Sequence, residues 1–278
     1  MKIDILSDLH LDFHFRGKPK AQSVESVFSR IFDKKNIGDA LIVAGDIGHN
    51  NKQNIQVLKL IKEIFGYKHI ICVLGNHDFY LLDKALRSNY DNNSILRAAR
   101  MRKYINDQEG MYCLNGEVIE INGVRIGGCD SWYDGEYIKE HFEKICPMWN
   151  IPKDAHYINQ LWENSLNDAN YIYGMDWQKK AELEKQKIEK IYQDVDIMIT
   201  HVNPSLEKAH TSRSYRETET TGFFTFDGRK YLEKGSMKYW IYGHTHDAME
   251  YEVDGVKCIC NPLGYPSECN NALKSIEI

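Results

Sequence analysis

Five short apolar runs in this chain end in polar residues of one chemical kind, and that repetition constrains the fold more than any other feature. The runs are "KIDILSDLH" (2–10), "DALIVAGD" (39–46), "HIICVLGNHD" (69–78), "DVDIMITH" (194–201) and "KYWIYGHTH" (238–246). Apolar stretches of this length without sustained polar alternation read as strands covered on both faces. Their ends supply Asp8 and His10, then Asp46, then Asn76, His77 and Asp78, then His201, then His244 and His246. Carboxylates and imidazoles at the tips of buried strands are costly to desolvate unless something neutralises them.

Helical patterns fill the intervals. Val24, Val27, Phe28, Ile31 and Phe32 follow the spacing of an amphipathic helix, as do Ile55, Leu58, Ile61 and Phe65 before Gly66. The first third therefore alternates β-α-β-α-β, which predicts parallel strands joined by crossover helices. Residues 80–105 read as interrupted helix. Residues 117–128 read as a hairpin turning at Asn122-Gly123, and a last hairpin turns at Asp254-Gly255. Residues 136–193, rich in Tyr, Trp, Asn, Lys and Glu, read as a helical insertion or cap within one domain spanning 1–278. A chain of 278 residues with 42% hydrophobic content can bury such a core.

Composition removes several classes of protein. The net charge of −5 argues against a general electrostatic binder of nucleic acid. No run approaches the ~20 apolar residues of a membrane span, and the first strand begins without the basic and apolar regions of a signal peptide. The seven cysteines are odd in number and form no C-x-x-C pair, which fits reduced thiols in a cytoplasmic protein.

Ligand sites in open α/β sheets form beyond the carboxyl ends of the strands. Five such ends offering only Asp, Asn and His read as one shared metal site. Asp8/His10 and His244/His246 are i, i+2 pairs whose side chains share a direction on an extended segment. Gly45, Gly75 and Gly243 precede ligand positions and permit sharp turns or close backbone approach. Imidazole and carboxylate donors suit manganese, iron or zinc. Six or seven of them exceed what one four-coordinate ion needs, so two divalent ions sharing a bridge are expected.

"DLH" at 8–10, "GD" at 45–46, "GNHD" at 75–78, His201 and "GHTH" at 243–246 resemble, in order, the motifs of the calcineurin-like metallophosphoesterase superfamily, nearest its small bacterial and phage-type phosphoesterases. The resemblance implies an α/β fold, a four-layer α-β-β-α sandwich of two mixed sheets with a helical insertion. It implies one ion held by Asp8, His10, Asp46 and His246, and another held by Asp46, Asn76, His201 and His244. His77 would face the substrate, with Asp78 orienting it. The reaction implied is hydrolysis of a phosphodiester or phosphomonoester by a hydroxide bridging two ions, an attack such centres support. The substrate would be a phosphate ester, nucleotides included. "GDIGHN" lacks the Asp-Arg-Gly extension of serine/threonine protein phosphatases, and "GNHD" replaces their GNHE, so that subclass is disfavoured.

Further residues are weaker candidates for substrate contact. Asp130 and Trp132 in "GGCDSWYD" lie where the family often has a loop reaching the site, and "CNPLGYPSE" (260–268) resembles a closing segment of bacterial members. His210, Arg213 and Arg216 stand in a polar stretch between two ligand strands, where arginine could grip phosphate. A solvated loop is the plainer account of that stretch. His14 and His49 sit just beyond ligand motifs and could line the site, although surface-loop positions are the plainer account. Trp149, Trp162 and Trp177 could stack on a base, although packing of the insertion explains them as well. Two other functions stand beside the phosphoesterase reading. One is a nuclease acting on DNA or RNA, which the acidic charge disfavours. The other is a non-catalytic protein-interaction scaffold, which would be natural had ligand positions been lost; every one is filled.

Overall fold

Alternate residues of the buried strands face different layers, which is why the runs are apolar throughout. In the computed structural model, which describes residues 1–142, 154–268 and 273–278, the strands are β1 (Lys2–Leu6), β2 (Ala40–Ala44), β3 (His69–Val73), β4 (Met111–Cys113), β5 (Glu117–Ile121), β6 (Val124–Gly128), β7 (Ile197–Ile199), β8 (Tyr239–Tyr242), β9 (Met249–Val253), β10 (Val256–Cys260) and β11 (Lys274–Glu277). One sheet has the order β11-β1-β2-β3-β4 and the other β5-β6-β7-β8-β10-β9. Both are mixed. β1 to β4 run parallel with β11 antiparallel at the edge, and β6, β7, β8 and β10 run parallel between antiparallel β5 and β9.

Ile3, Ile5, Ile42, Ile71 and Val73 of the first sheet form one buried cluster with Ile126, Ile197, Ile199, Ile241 and Ile259 of the second. Their neighbours in sequence turn outward. Leu41, Val43, Ile70 and Cys72 share a cluster with Val57, Leu58 and Ile61 of a helix at Asn51–Phe65. Met198, Trp240 and Tyr242 meet the helical layer on the other side. The result is the four-layer α-β-β-α sandwich. Asp4 is the exception inside β1. It is fully buried and accepts from the Gly38 N–H (2.8 Å), the Tyr67 hydroxyl (2.8 Å) and the Ser275 hydroxyl (2.6 Å), so its burial is compensated.

Local signals match their elements closely. The interrupted helix of 80–105 is two helices, Lys84–Asn89 and Ser94–Asn106, separated by left-handed Asp91 and Asn92. Asn122 and Gly123 take positive φ (53° and 80°) at the β5–β6 turn, and Asp254 and Gly255 do the same (51° and 83°) between β9 and β10. The helix that carries Val24 and Phe28 is shorter than its pattern. It ends at Phe28, while Ile31 and Phe32 remain in the core beyond it. Cys72, Cys113, Cys129, Cys258 and Cys260 are buried free thiols. Among the described residues no helix is long and apolar enough to cross a membrane.

The segment read as an insertion contains helices at Glu136–Phe142, Ala155–Ser165, Asp168–Tyr171 and Trp177–Ile191. Its last helix behaves differently from the rest. Ile191 and Val195 press so closely on β6 that a Cβ on Gly127 would come within 3.1 Å of Ile191 and 2.6 Å of Val195. That helix covers the second sheet as part of the outer layer, because parallel β6 and β7 require a crossover connection.

Candidate metal centre

The strands carrying the polar tips end before the tips begin. β1 stops at Leu6 and β8 at Tyr242, so Asp8/His10 and His244/His246 do not share a direction by strand alternation. Left-handed backbone aims them instead: φ is 51° at Asp8, 41° at His10, 51° at Asp46, 71° at His244 and 53° at His246. Asp, Asn and His tolerate this region better than other residues, yet each such position costs of order 1–3 kcal/mol and persists only where neighbours over-determine it. Here the loops are tied to one another. The N–H groups of Asp8, His10 and Leu11 donate to the carbonyls of Gly45 (3.1 Å), Asp46 (3.0 Å) and Ile47 (3.0 Å). The Gly243 N–H donates to the His201 carbonyl (2.9 Å), and the His244 N–H donates to Asp8 Oδ1 (2.9 Å). Gly75 explains the close approach, since a Cβ there would fall 2.1 Å from Asp46 Oδ1 and 2.6 Å from His201 Nε2.

Two sets of donor atoms converge. Asp8, His10, Asp46 and His246 form one, and Asp46, His201 and His244 the other; within each set the donor atoms lie within 4.8 Å of one another. Asp46 belongs to both. His10 Nε2 is 2.9 Å from His246 Nε2 and 3.7 Å from Asp46 Oδ2. His201 Nε2 is 3.4 Å from Asp46 Oδ1 and 3.2 Å from Asn76 Oδ1, which adds the amide oxygen to the second set.

The outer bonds of the imidazoles decide which nitrogen faces inward. His201 Nδ1 donates to the Ala44 carbonyl (2.9 Å), His244 Nε2 donates to the Phe223 carbonyl (2.9 Å), and His246 Nδ1 is 2.8 Å from Glu268 Oε2. Metal-ligating histidines are commonly oriented this way. Lone pairs then crowd the interior, and Asp8 Oδ2 is buried without a hydrogen-bond partner. The residues present fit a cation, and the donors suit a first-row divalent ion. The charged groups of the two sets also act strongly on one another. Burial opposes charge on His201, but Asp46 raises its pKa to about 10. Burial likewise opposes charge on Asp46, but His201 and His77 hold its carboxyl well below the usual range. Burial pushes His244 down to about 3.

His77 stands beside the cluster, its Nε2 4.0 Å from Asp46 Oδ2 and its backbone N–H donating to Asp46 Oδ1 (2.9 Å). Asp78 does not orient its ring. The Asp78 carboxylate accepts from the backbone N–H groups of Gly75 (2.9 Å), Ile47 (3.2 Å) and Gly48 (3.2 Å), so it pins two ligand loops together. The ring is oriented by His49, whose Nε2 is 2.9 Å from His77 Nδ1 and whose Nδ1 is 2.7 Å from Asp12 Oδ2. His49 is thus buried against the site rather than a surface-loop residue. His14 is half-buried, its Nε2 2.9 Å from the Gly264 carbonyl. Arg97, fully buried, donates to the carbonyls of Gly48 (2.7 Å), His77 (2.8 Å) and Tyr80 (3.1 Å) and braces the same loops from beneath.

The weaker substrate candidates lie elsewhere. Asp130 is buried in an ion cluster, accepting two bonds from Arg102 Nη2 (3.0 and 2.9 Å), one from Lys180 Nζ (3.2 Å) and one from the Leu74 N–H (3.0 Å). Trp132 is 2% exposed and meets Phe79 edge to face. His210 stacks on Tyr251 at 3.8 Å, with Nδ1 2.8 Å from the Ser205 hydroxyl. Arg213 is exposed, and Arg216 donates to the Thr211 carbonyl (3.0 Å). None of the five lines the cavity over the cluster. Trp162 and Trp177 pair at 6.1 Å within the inserted segment, in keeping with packing, and Trp149 lies outside the described residues.

The Asp130 cluster has a measurable consequence. Asp130→Ala takes the carboxylate partner from the half-buried Arg102 and leaves Lys180 paired with Glu184 alone, for an expected loss of about 3 kcal/mol. Burial raises the Asp130 pKa, but Arg102 and Lys180 together depress it below the usual carboxylate range. A depressed folded-state pKa contributes stability that is fully present above the unfolded value near ~4 and is lost as pH falls through the folded one. Denaturant titrations should show a constant gap between wild type and variant above about pH 5 and a shrinking gap in more acid solution. A pH-independent gap would contradict the assignment.

A cavity of about 390 Å³ opens over Asp46, Asn76, His77, His244 and His246. Its walls hold Tyr80, Asp168, Tyr215, Phe224, Tyr265 and Glu268, none of which the strand-end pattern marks. Tyr265 stacks on His10 at 4.6 Å and Phe224 on His244 at 4.8 Å. The turn signals of 260–268 foreshadow Tyr265 and Glu268; Asp168, which opens the helix at Asp168–Tyr171, and the others carry no local signature.

Two packed mixed sheets whose strand ends gather Asp, Asn and His have the architecture of a metallophosphoesterase. The model of the calcineurin-like phosphoesterase family matches residues 1–248, and this chain belongs to that family. It is 26% identical over 278 residues to "Uncharacterized protein L509" of Acanthamoeba polyphaga mimivirus, covering 96% of this chain and 92% of that protein. Its fold is similar to that of phosphopantetheinyl hydrolase (PptH) from Mycobacterium tuberculosis, with a TM-score of 0.63, 18% identity, and coverage of 96% of this chain and 90% of that one.

Proposed function

We propose that the chain hydrolyses a phosphate ester at two divalent ions, one held by Asp8, His10, Asp46 and His246 and the other by Asp46, Asn76, His201 and His244. The observation that carries this reading is the pair of donor sets sharing the Asp46 carboxylate. Bound ions would supply Lewis acidity and a water acidic enough to act as nucleophile near neutral pH. The chain's own residues do the rest. His77 Nε2 faces the cluster and is placed to give a proton to the leaving oxygen or a hydrogen bond to a phosphoryl oxygen. Asp12 and His49 fix the ring that does so. The stretch Ser165 to Asp168 and Tyr265 line the cavity and shield the reacting centre, so the inserted segment caps the site.

The cavity favours a diester over a monoester. Among the described residues no Lys or Arg lines it, while Asp168 and Glu268 do. A diester carries one negative charge and a monoester close to two, so the doubly charged substrate gains less in a site without side-chain cations. Aromatic walls at Tyr80, Tyr215, Phe224 and Tyr265 suit a planar substituent. The test is paired hydrolysis of bis-p-nitrophenyl phosphate and p-nitrophenyl phosphate with added Mn²⁺. The expected result is a kcat/KM at least about tenfold higher for the diester. Absence of metal-stimulated turnover with both, in protein that contains stoichiometric metal, would overturn the hydrolase reading.

A further inference from the structure

We infer that Asp168, from the segment between β6 and β7, is a positioning residue that fixes which end of the Asn76 amide faces the metal cluster. The inference rests on the metal-centre reading above and adds to it a residue outside all five strand-end motifs. Asp168 is 1% exposed and receives three hydrogen bonds. Asn76 Nδ2 donates to its Oδ1 (2.7 Å), the Tyr80 hydroxyl donates to the same oxygen (2.5 Å), and the Tyr133 hydroxyl donates to Oδ2 (2.7 Å).

A carboxylate only accepts, whereas an Asn side chain has one donating end and one accepting end of nearly the same size. Facing Asp168, the amide must present its NH₂ group. Its oxygen is then turned toward His201 Nε2 and the Asp46 carboxylate, where a cation needs an acceptor. With the carboxylate removed, Asn76 Nδ2 keeps only the Tyr80 hydroxyl (3.2 Å), which can donate as well as accept, so the amide can rotate by half a turn and aim two N–H groups at the cation. Asp168 also holds the Tyr80 hydroxyl, and the Tyr80 ring stacks on His77 at 4.4 Å, so one carboxylate sets a ligand and the neighbouring imidazole together.

The segment that carries Asp168 is anchored without it. The Leu81 N–H donates to the Tyr171 carbonyl (2.8 Å), the Ser94 N–H to the Tyr173 carbonyl (2.9 Å), and the Tyr173 N–H to the Ser94 hydroxyl (2.9 Å). Substitution at 168 therefore alters the amide's partner while these contacts keep the segment in place.

The experiment is calorimetric titration of metal-stripped full-length protein with Mn²⁺ alone, for wild type, Asp168→Ala, Asn76→Asp and the double variant. Wild type should bind two equivalents. Asp168→Ala should weaken one of the two by about 10- to 100-fold, the usual scale for losing a group that orients a ligand, and leave the other within about threefold. In the Asn76→Asp background the effect should vanish or reverse, because a carboxylate has no wrong end and is repelled by Asp168. A residue acting only through fold integrity would weaken binding in both backgrounds, and that result overturns the inference. Unchanged affinities for Asp168→Ala overturn it as well. Should Asp168→Ala not fold, Asp168→Ser replaces it, since a hydroxyl both donates and accepts and selects neither end of the amide. Failure of wild type to bind two equivalents would instead strike the metal-centre reading itself.

Discussion

On the proposed two-ion reading, Asp46→Asn should abolish binding of both ions and cost at least about 10³-fold in turnover, corresponding to about 4 kcal/mol of transition-state stabilisation. The size of the effect follows from position. Asp46 supplies oxygens to both donor sets, is 1% exposed, and is approached by His10, His77 and His201 within 3.4–4.0 Å. The amide keeps the shape but offers one oxygen instead of two and no charge, so neither set retains its full complement of acceptors. Asp8→Asn, by comparison, touches only one set and should leave one ion bound. Elemental analysis of the purified variants separates the two cases. Retention of two ions per chain by Asp46→Asn would mean that the shared carboxylate does not bridge.

The second large effect concerns the imidazole that lies outside the ligand sets. His77→Ala should lower kcat by about 10²- to 10⁴-fold, the range for loss of a general acid. His49→Ala should lower it by about 10- to 100-fold, because the His77 ring loses the partner that aims it. The size of the loss should depend on the substrate. Nitrophenolate departs readily without a proton, whereas an alkoxide does not, so both variants should suffer most with alkyl esters and least with nitrophenyl esters. Restoring only the fold cannot produce that dependence. Equal losses across a series of leaving groups would assign His77 to phosphoryl binding and His49 to packing.

The strand-end residues were legible because each sits in a contiguous motif whose chemistry conflicts with burial. Asp8, His10, Asp46, Asn76, His201, His244 and His246 all converge, and the sandwich was implied by the order of those motifs. The means of convergence was not legible. Alternation on an extended strand is a property of local sequence, but the left-handed turns at Asp8 and His244 depend on loops that bond across 236 positions, as the His244 N–H to Asp8 bond does. His49 was the lesser alternative for the site and Asp12 escaped altogether for a similar reason, since their link joins two loops brought together only by the sheet. Asp130 follows β6 much as the ligands follow their strands, which made it a reasonable candidate for the site. Arg102 and Lys180, contributed by helices on either side, capture it instead. Asp168 carries no motif at all, and only tertiary packing delivers it to Asn76.

The partition of the ligands between the two sheets bears on how the chain becomes stable. Asp8, Asp46 and Asn76 follow strands of the first sheet, and His201, His244 and His246 follow strands of the second. A cation held between them, as proposed, would be a rivet through both sheets, and it could not be set until residues near each end of the chain have met. A chain still being synthesised, with β8 not yet made, has at most part of each donor set. Metal uptake at the proposed centre would therefore report closure of the whole sandwich, and at 100 times its dissociation constant a bound ion would add about 2.7 kcal/mol to the closed form alone.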